Sequence, residues 1–215
     1  MIEMNYQAEL EKIIAKNQEE GKVPTLLLHA CCAPCSSYVL EYLSEYFQIT
    51  IFYYNPNITI KEEYQKRVQE EQRLLREMPF RYPVSFLEGR YDPSEYENIA
   101  KGREDLPERS ARCYDCYYLR LKETAKVAKE NDFDYFGTTL SVSPHKNSNW
   151  LNEIGKELSA QYKIPYLYAD FKKKEGYKRS ILLSQKYHLY RQDYCGCIYS
   201  KNAHDKKMLE KGETV

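Results

Sequence analysis

The chain has 215 residues, of which 42% are hydrophobic and 30% charged, and its formal net charge is zero. That length supports one domain with a sizeable core, and no run approaches the roughly 18 consecutive apolar residues that a membrane-spanning helix needs. A balanced charge argues against a large nucleic-acid footprint, which requires a basic excess, but leaves room for a local basic patch. The first twenty residues are charged and lack an apolar signal core, so the sequence predicts a cytoplasmic protein that does not engage a membrane. Tyrosine is abundant, and the seven cysteines fall in tight groups. An odd number of clustered thiols without an export signal points to metal ligands or redox catalysts rather than a disulfide framework.

In chain order, Tyr6, Leu10, Ile13 and Ile14 share a helical face, and Gly21 can end that helix. Thr25 to Ala30 is a short apolar run of the kind that forms a buried parallel strand. Cys31 to Cys35 form the turn after it, and Ser36 or Ser37 is expected to cap the next helix, which carries Val39, Leu40, Leu43 and Phe47. Ile49 to Tyr54 reads as a second strand closed by Asn55-Pro56-Asn57. Tyr64, Val68, Leu75 and Met78 mark a helical face, and Tyr82 to Leu87 a third strand. A short helix between Pro93 and Gly102 precedes a long one from about Ser110 to Lys129. Phe133 to Thr139 is predicted as a fourth strand, Ser141 to Lys146 as a loop, and Trp150 to Tyr162 as a helix. Ile164 to Tyr168 is predicted as a fifth strand, Tyr177 to Tyr187 as a helix, and the charged tail as helical. Strands alternating with helices predict one three-layer α/β domain over residues 1–215 with a parallel sheet. Its core spans about 24–170, and residues 171–215 form a helical, cysteine-bearing segment that closes the metal site. The ligand cleft belongs at the carboxyl ends of the strands, where the first cysteine group, Asn55 to Asn57 and Ser141 to Lys146 should converge.

The cysteines stand as Cys31-Cys32-Ala33-Pro34-Cys35, Cys113-Tyr114-Asp115-Cys116 and Cys195-Gly196-Cys197. Cys113 and Cys116 share one face of a helix start, where the helix N-terminus should lower their pKa. Gly196 lets the chain bend tightly enough for its two flanking thiols to approach one centre. Neighbouring side chains leaving a strand point in opposed directions, so Cys31 and Cys32 are expected to have difficulty reaching one ion. Seven thiols also exceed the four that a cubane cluster or a structural zinc requires. The pattern therefore predicts two neighbouring centres, or one cluster with free catalytic thiols.

Asp115 is a candidate metal ligand or proton donor, or a first-turn acid of its helix. His29 reads as a buried, hydrogen-bonded histidine. Arg109 and Arg112 flank the second group and can hold an anion, and Ser143 and Lys146 lie where this fold cradles phosphates. No complete Walker A or G-x-G-x-x-G pattern is present. Lys172, Lys173, Lys174, Lys178 and Arg179 form a basic run, with Arg191 further on. Tyr53, Tyr54, Tyr168 and Tyr194 are candidates for stacking on exposed bases, although any one tyrosine is more simply a half-buried core residue.

His29-Ala30-Cys31-Cys32-Ala33-Pro34-Cys35, Tyr54-Asn55-Pro56-Asn57 and Arg109 through Cys116 resemble the cobalamin-independent epoxyqueuosine reductases. So do Thr138-Thr139-Leu140 with Ser143-Pro144-His145-Lys146, Asp170-Phe171-Lys172-Lys173 with Gly176, and Tyr190 through Cys197. The resemblance runs from about residue 24 to 200. It implies a nucleotide-α-hydrolase-like (HUP-like) fold, a 4Fe-4S cluster and an adjacent single iron. It implies a tRNA substrate carrying epoxyqueuosine at the wobble position, whose epoxide is reduced to the alkene of queuosine with loss of water, and an external electron donor. All seven cysteines and Asp115 are then metal candidates. Cys32, Cys35, Cys113, Cys116 and Cys195 are expected as cofactor ligands, with Cys31, Cys197 and Asp115 as reacting groups. Asn55, Asn57, Arg109 and Arg112 are expected to contact substrate, as are Ser143, Lys146, Lys172, Lys173 and Arg191. The division of cysteines between the two centres stays open. The rival readings are a sulfur-transfer or desulfuration enzyme acting on tRNA or a nucleobase, a zinc-stabilised RNA-binding module, and a thiol–disulfide oxidoreductase.

Overall fold

Four parallel strands in the order β3-β2-β1-β4 form the centre of the computed structural model, which describes residues 4–212. They are β1 (Thr25–His29), β2 (Gln48–Tyr53), β3 (Val84–Glu88) and β4 (Tyr135–Thr138). Side chains alternate across such a sheet, and the packing follows. Leu26 and Leu28 pack on the face covered by α1 (Tyr6–Glu19) and α2 (Ala33–Leu43). Leu27 and Phe136 pack on the other face, against α5 (Ala111–Glu130) and α6 (Ser148–Tyr162). The remaining helices are α3 (Lys61–Glu77), α4 (Pro93–Ala100), α7 (Gly176–Lys186) and α8 (Ile198–Glu210). No helix among the described residues is long and apolar enough to cross a membrane.

Three expectations change. The fifth strand is only an isolated bridge, Phe136 to Tyr166, because the chain leaves the sheet edge after one pairing. The helix after the first thiols begins at Ala33, with Cys32 as its N-cap and Pro34 in its first turn, rather than at Ser36 or Ser37. Proline's fixed φ favours that first turn, and the two serines bond back to the carbonyls of Cys32 and Pro34 at 3.2 and 3.0 Å. Finally, the inner face of α3 carries Arg67 and Glu71 beside Tyr64, Val68 and Leu74, so a reading of apolar residues alone missed two buried ionisable side chains.

β1 pairs with β2 on one side and β4 on the other. The chain winds outward in opposite directions from β1, so the switch point of the sheet lies between the carboxyl ends of β1 and β4, where α/β folds open a cleft. His29 fastens this point. Its ring lies 3.2 Å from the Tyr54 carbonyl and 3.0 Å from the Thr138 hydroxyl, which accepts from Leu140 N–H at 3.2 Å. The carbonyl can only accept, so Nε2 carries the proton and Nδ1 accepts from Thr138. Burial lowers the His29 pKa to about 3 and keeps the ring neutral.

Candidate metal centre and substrate cleft

The first thiol group is a local construction. β1 ends at His29, and Cys32 is extended (φ −172°, ψ 148°) as it enters α2. The amides of Cys35 and Ser36 both donate to the Cys32 carbonyl at 3.1 Å, which folds Cys35 back over Cys32. The sulfurs of Cys31 and Cys32 are 3.8 Å apart, and those of Cys31, Cys32 and Cys35 all lie within 4.8 Å of one another. The expected divergence of Cys31 and Cys32 is therefore overturned, because alternation applies only while the strand lasts. Tetrahedral thiolates at about 2.3 Å from one metal stand about 3.8 Å apart, which matches the Cys31–Cys32 pair. Hydrogen bonds from Cys31 and Cys35 hold the Cys32 thiol well below its ordinary pKa, with Arg67 assisting. The bond to Cys32 raises the pKa of Cys31, and bonds with Cys31 and Cys32, together with burial, raise that of Cys35.

The second group is assembled from distant segments. Cys113 and Cys116 lie in the first turns of α5, and the Cys113 sulfur accepts from Arg109 N–H at 3.4 Å. Cys197 caps α8 and accepts from Ser200 N–H at 3.4 Å. Gly196 sits at φ +118°, and a Cβ there would lie 2.9 Å from Ile58. Arg67, 1% exposed, ties this loop to α3. It donates to the carbonyls of Cys195 and Tyr194 at 3.3 and 3.4 Å, and pairs with Glu63 at 2.6 Å. Cys113, Cys116, Cys195 and Cys197 together line one small cavity with Asn57, Arg112, Arg120 and Lys146. Burial raises Cys113 and pushes Cys116 up to about 12, so desolvation outweighs the lowering expected from the helix N-terminus. Burial would raise Cys195 too, but Lys146, whose ammonium donates to its sulfur at 3.0 Å, and Arg120 bring its pKa below the ordinary value.

A cleft of about 310 Å³ connects the groups, with Cys31 and Cys35 on one wall, Cys195 on another, and Arg120 and Lys146 between. Pro34, Leu140 and Val142 give it apolar surface, while Tyr177, Tyr194, Ser143 and Arg191 line its remaining walls. It opens at the sheet's switch point, as expected for this topology.

The expected substrate residues divide. Ser143, Lys146 and Arg191 line the cleft, and Asn57 lines the four-thiol cavity. Asn55 is buried and spent structurally, donating to the Ala30 carbonyl at 2.7 Å. Arg112 is buried and holds the carbonyls of Arg103 and Glu104 at 2.8 and 2.7 Å, so it reaches the small cavity but not the open cleft. Arg109 lies outside the cleft and donates to the Pro144 carbonyl at 3.2 Å. Lys172 pairs with Asp170 at 2.8 Å, and Lys174, Lys178 and Arg179 pair with Glu11, Glu175 and Glu41. Lys173 is exposed outside the cleft. Tyr53 and Tyr54 are core residues, and Tyr168 packs on Tyr6 and Tyr166, leaving Tyr194 at the cleft. Asp115 pairs with Arg103 and lines neither space. It sits about 100° around the helix from Cys116 and about 160° from Cys113, so it is turned from the thiols it was expected to serve.

Arg120 and Arg67 went unread in the sequence. Arg120 was accessible to reasoning, because residues 113, 116 and 120 follow one helical stripe. Arg67 carries no such signal, since it meets Tyr194 and Cys195 across 127 and 128 residues.

The residues suit a thiolate-bound metal centre. Soft thiolates select zinc or iron–sulfur centres, and three buried polar atoms at the four-thiol cavity lack partners: Asn57 Oδ1, Arg112 Nε and Arg120 Nη2. The cavity, about 10 Å³, admits about one water, so the fit rests on the donor set and the unpartnered atoms rather than on volume.

A family model described as epoxyqueuosine reductase QueH matches residues 26–203. An epoxyqueuosine reductase QueH of Staphylococcus epidermidis is 39% identical over 214 residues, covering 97% of this chain and 90% of the relative. One from Streptococcus pyogenes serotype M1 is 41% identical, covering 92% and 78%. One from Thermotoga maritima is 32% identical, covering 82% and 90%. With the thiol-lined cleft at the switch point of its sheet, the chain belongs to the epoxyqueuosine reductase QueH family.

Proposed function

We infer that this protein reduces the epoxide of epoxyqueuosine in tRNA to the alkene of queuosine. The balanced change is one epoxide, two electrons and two protons giving one alkene and one water. The observation that carries the reading is the division of seven thiols into a contacting triad and a cavity-lining quartet, which reach one cleft through Cys31 and Cys35 and through Cys195. On this reading Cys113, Cys116, Cys195 and Cys197 hold a 4Fe-4S cluster, and Cys31, Cys32 and Cys35 hold a single iron. When bound, these groups supply one-electron relay and Lewis-acid polarisation of the epoxide oxygen.

The chain's own residues bind, shield and charge the site. Pro34, Leu140 and Val142 exclude water from the wall beside the triad, and Tyr177 and Tyr194 offer aromatic rings to a base displaced from its loop. Lys146 and Arg120 keep positive charge where the epoxide oxygen becomes anionic. Lys146 can hold a proton beside that oxygen, because its Cys195 and Glu108 partners at 3.0 and 3.2 Å keep it charged despite burial. Electrons come from an external donor. The strand order and the Phe136–Tyr166 bridge support a HUP-like fold, with the segment from residue 171 to 212 closing the site through the Cys195–Cys197 loop. A cytoplasmic location accords with a tRNA substrate.

The test is turnover. Protein reconstituted anaerobically with iron and sulfide, given reductant and epoxyqueuosine-containing tRNA, is expected to yield queuosine, read by mass spectrometry of the digested nucleosides. Zinc-loaded protein without turnover would instead favour an RNA-binding module, and incorporation of sulfur into the tRNA would favour a sulfur-transfer enzyme.

A further inference from the structure

The interior holds a cation that no acid neutralises. Arg120 is 1% exposed, and the groups whose ionisation would act most strongly on it are the thiols of Cys116, Cys195 and Cys31, from both thiol groups. Its Nε donates to the Cys116 carbonyl at 3.1 Å and its Nη1 to Asn55 Oδ1 at 3.5 Å. Nη2 is buried without a partner. Arg67, also buried, has Glu63 at 2.6 Å, and among the described residues Arg120 has no such carboxylate. Arg120 also lines both the cleft and the four-thiol cavity.

A buried ion without a counter-charge is costly, so buried ions are found paired. A guanidinium cannot escape that cost by deprotonating. The counter-charge must therefore be supplied by the thiolates and what they hold. We propose that Arg120 is a positioning residue of the iron–sulfur centre: its fixed charge, anchored between the two thiol groups, compensates the centre's negative charge and raises its reduction potential. This rests on the function proposed above. Reduction adds negative charge, and a nearby cation stabilises the reduced form more than the oxidised one. Iron–sulfur potentials respond to local net charge and to hydrogen bonds on the sulfurs, and Arg120 offers both through its charge and the free Nη2. Its planar fork fixes that charge in place, because Nε and Nη1 are already engaged.

The test compares wild type, Arg120→Gln and Arg120→Lys after anaerobic reconstitution, with midpoint potentials from a titration followed by electron paramagnetic resonance. Far-UV circular dichroism monitors the fold. Arg120→Gln is expected to move the midpoint negative by at least about 59 mV, a tenfold change in a one-electron equilibrium. Arg120→Lys, which keeps the charge, is expected to stay near wild type. An unchanged midpoint in Arg120→Gln, or equal shifts in both variants, overturns the proposal. Should Arg120→Gln fail to fold, Arg120→Met takes its place: a negative shift of the same size supports the role of charge and an unchanged midpoint overturns it. A wild-type protein that forms no redox-active centre refutes the functional reading itself, an outcome distinct from a centre whose potential ignores Arg120.

Discussion

The two thiol groups are built by opposite means. The triad lies within five consecutive residues, and a strand end, an N-cap and a proline-started helix suffice to bring Cys31, Cys32 and Cys35 together. The quartet joins the start of α5 to a loop some eighty residues later, and depends on Arg67, Gly196 and Lys146 to hold that loop. The triad should therefore survive disturbance of the C-terminal segment, whereas the quartet should be sensitive to residues that carry no thiol. A local turn is closed by backbone geometry, but a non-local site must also meet the entropy of ordering its loop.

The comparison breaks most sharply at the cysteines. Cys116→Ala is expected to abolish both labile sulfide and turnover, because it removes a quartet ligand. Cys32→Ala is expected to keep the sulfide and lose turnover with only part of the iron. Equal losses in the two variants would merge the groups into one centre. Gly196→Ala comes next. It places a Cβ at φ +118° and 2.9 Å from Ile58, and strain of about 1–3 kcal/mol should lower thermal stability and cluster occupancy. The triad's iron should persist, and loss of both metals together would refute the independence of the groups.

A pH-dependent effect lies beneath the triad. Glu71 is fully buried, and burial raises its pKa to about 8. The native state keeps the proton above pH 4.5 while the unfolded chain releases it, so Glu71 lowers stability progressively as pH rises from about 4.5 to about 8. The slope is at most about 1.4 kcal/mol per pH unit. Glu71→Gln mimics the protonated acid and should remove that component, which urea unfolding at pH 5 and pH 8 would measure. An identical pH dependence in the variant would count against burial of a neutral acid. The smallest expected effect is at the basic run. Lys174 is exposed and paired with Glu11, where solvent screens the pair, so Lys174→Ala should leave both stability and the salt dependence of tRNA binding essentially unchanged. A reduced salt slope would restore this run as a phosphate contact.

The sequence made the sheet, its cleft and the three cysteine groups legible, because apolar runs and thiol spacing are local signals. It misplaced the orientation of Cys31 and Cys32, since alternation says nothing about the residues just past a strand's end. It also placed Asp115 at the site from its position between two cysteines and the lysine run from its charge, whereas Asp115 pairs with Arg103, and Lys172, Lys174 and Lys178 pair with Asp170, Glu11 and Glu175. Arg67 and Glu71 were hidden because buried ionisable side chains sit on a helix face that hydrophobic periodicity reads as interrupted. The fifth strand failed for a related reason: Ile164 to Tyr168 has a strand's composition, but only Tyr166 meets a partner.

The central claim is that triad and quartet hold separate centres, and counting iron and acid-labile sulfide in one anaerobically reconstituted sample of Cys32→Ala tests it most directly. The account predicts the full sulfide content of wild type with less iron per chain. Loss of sulfide in proportion to iron would contradict it.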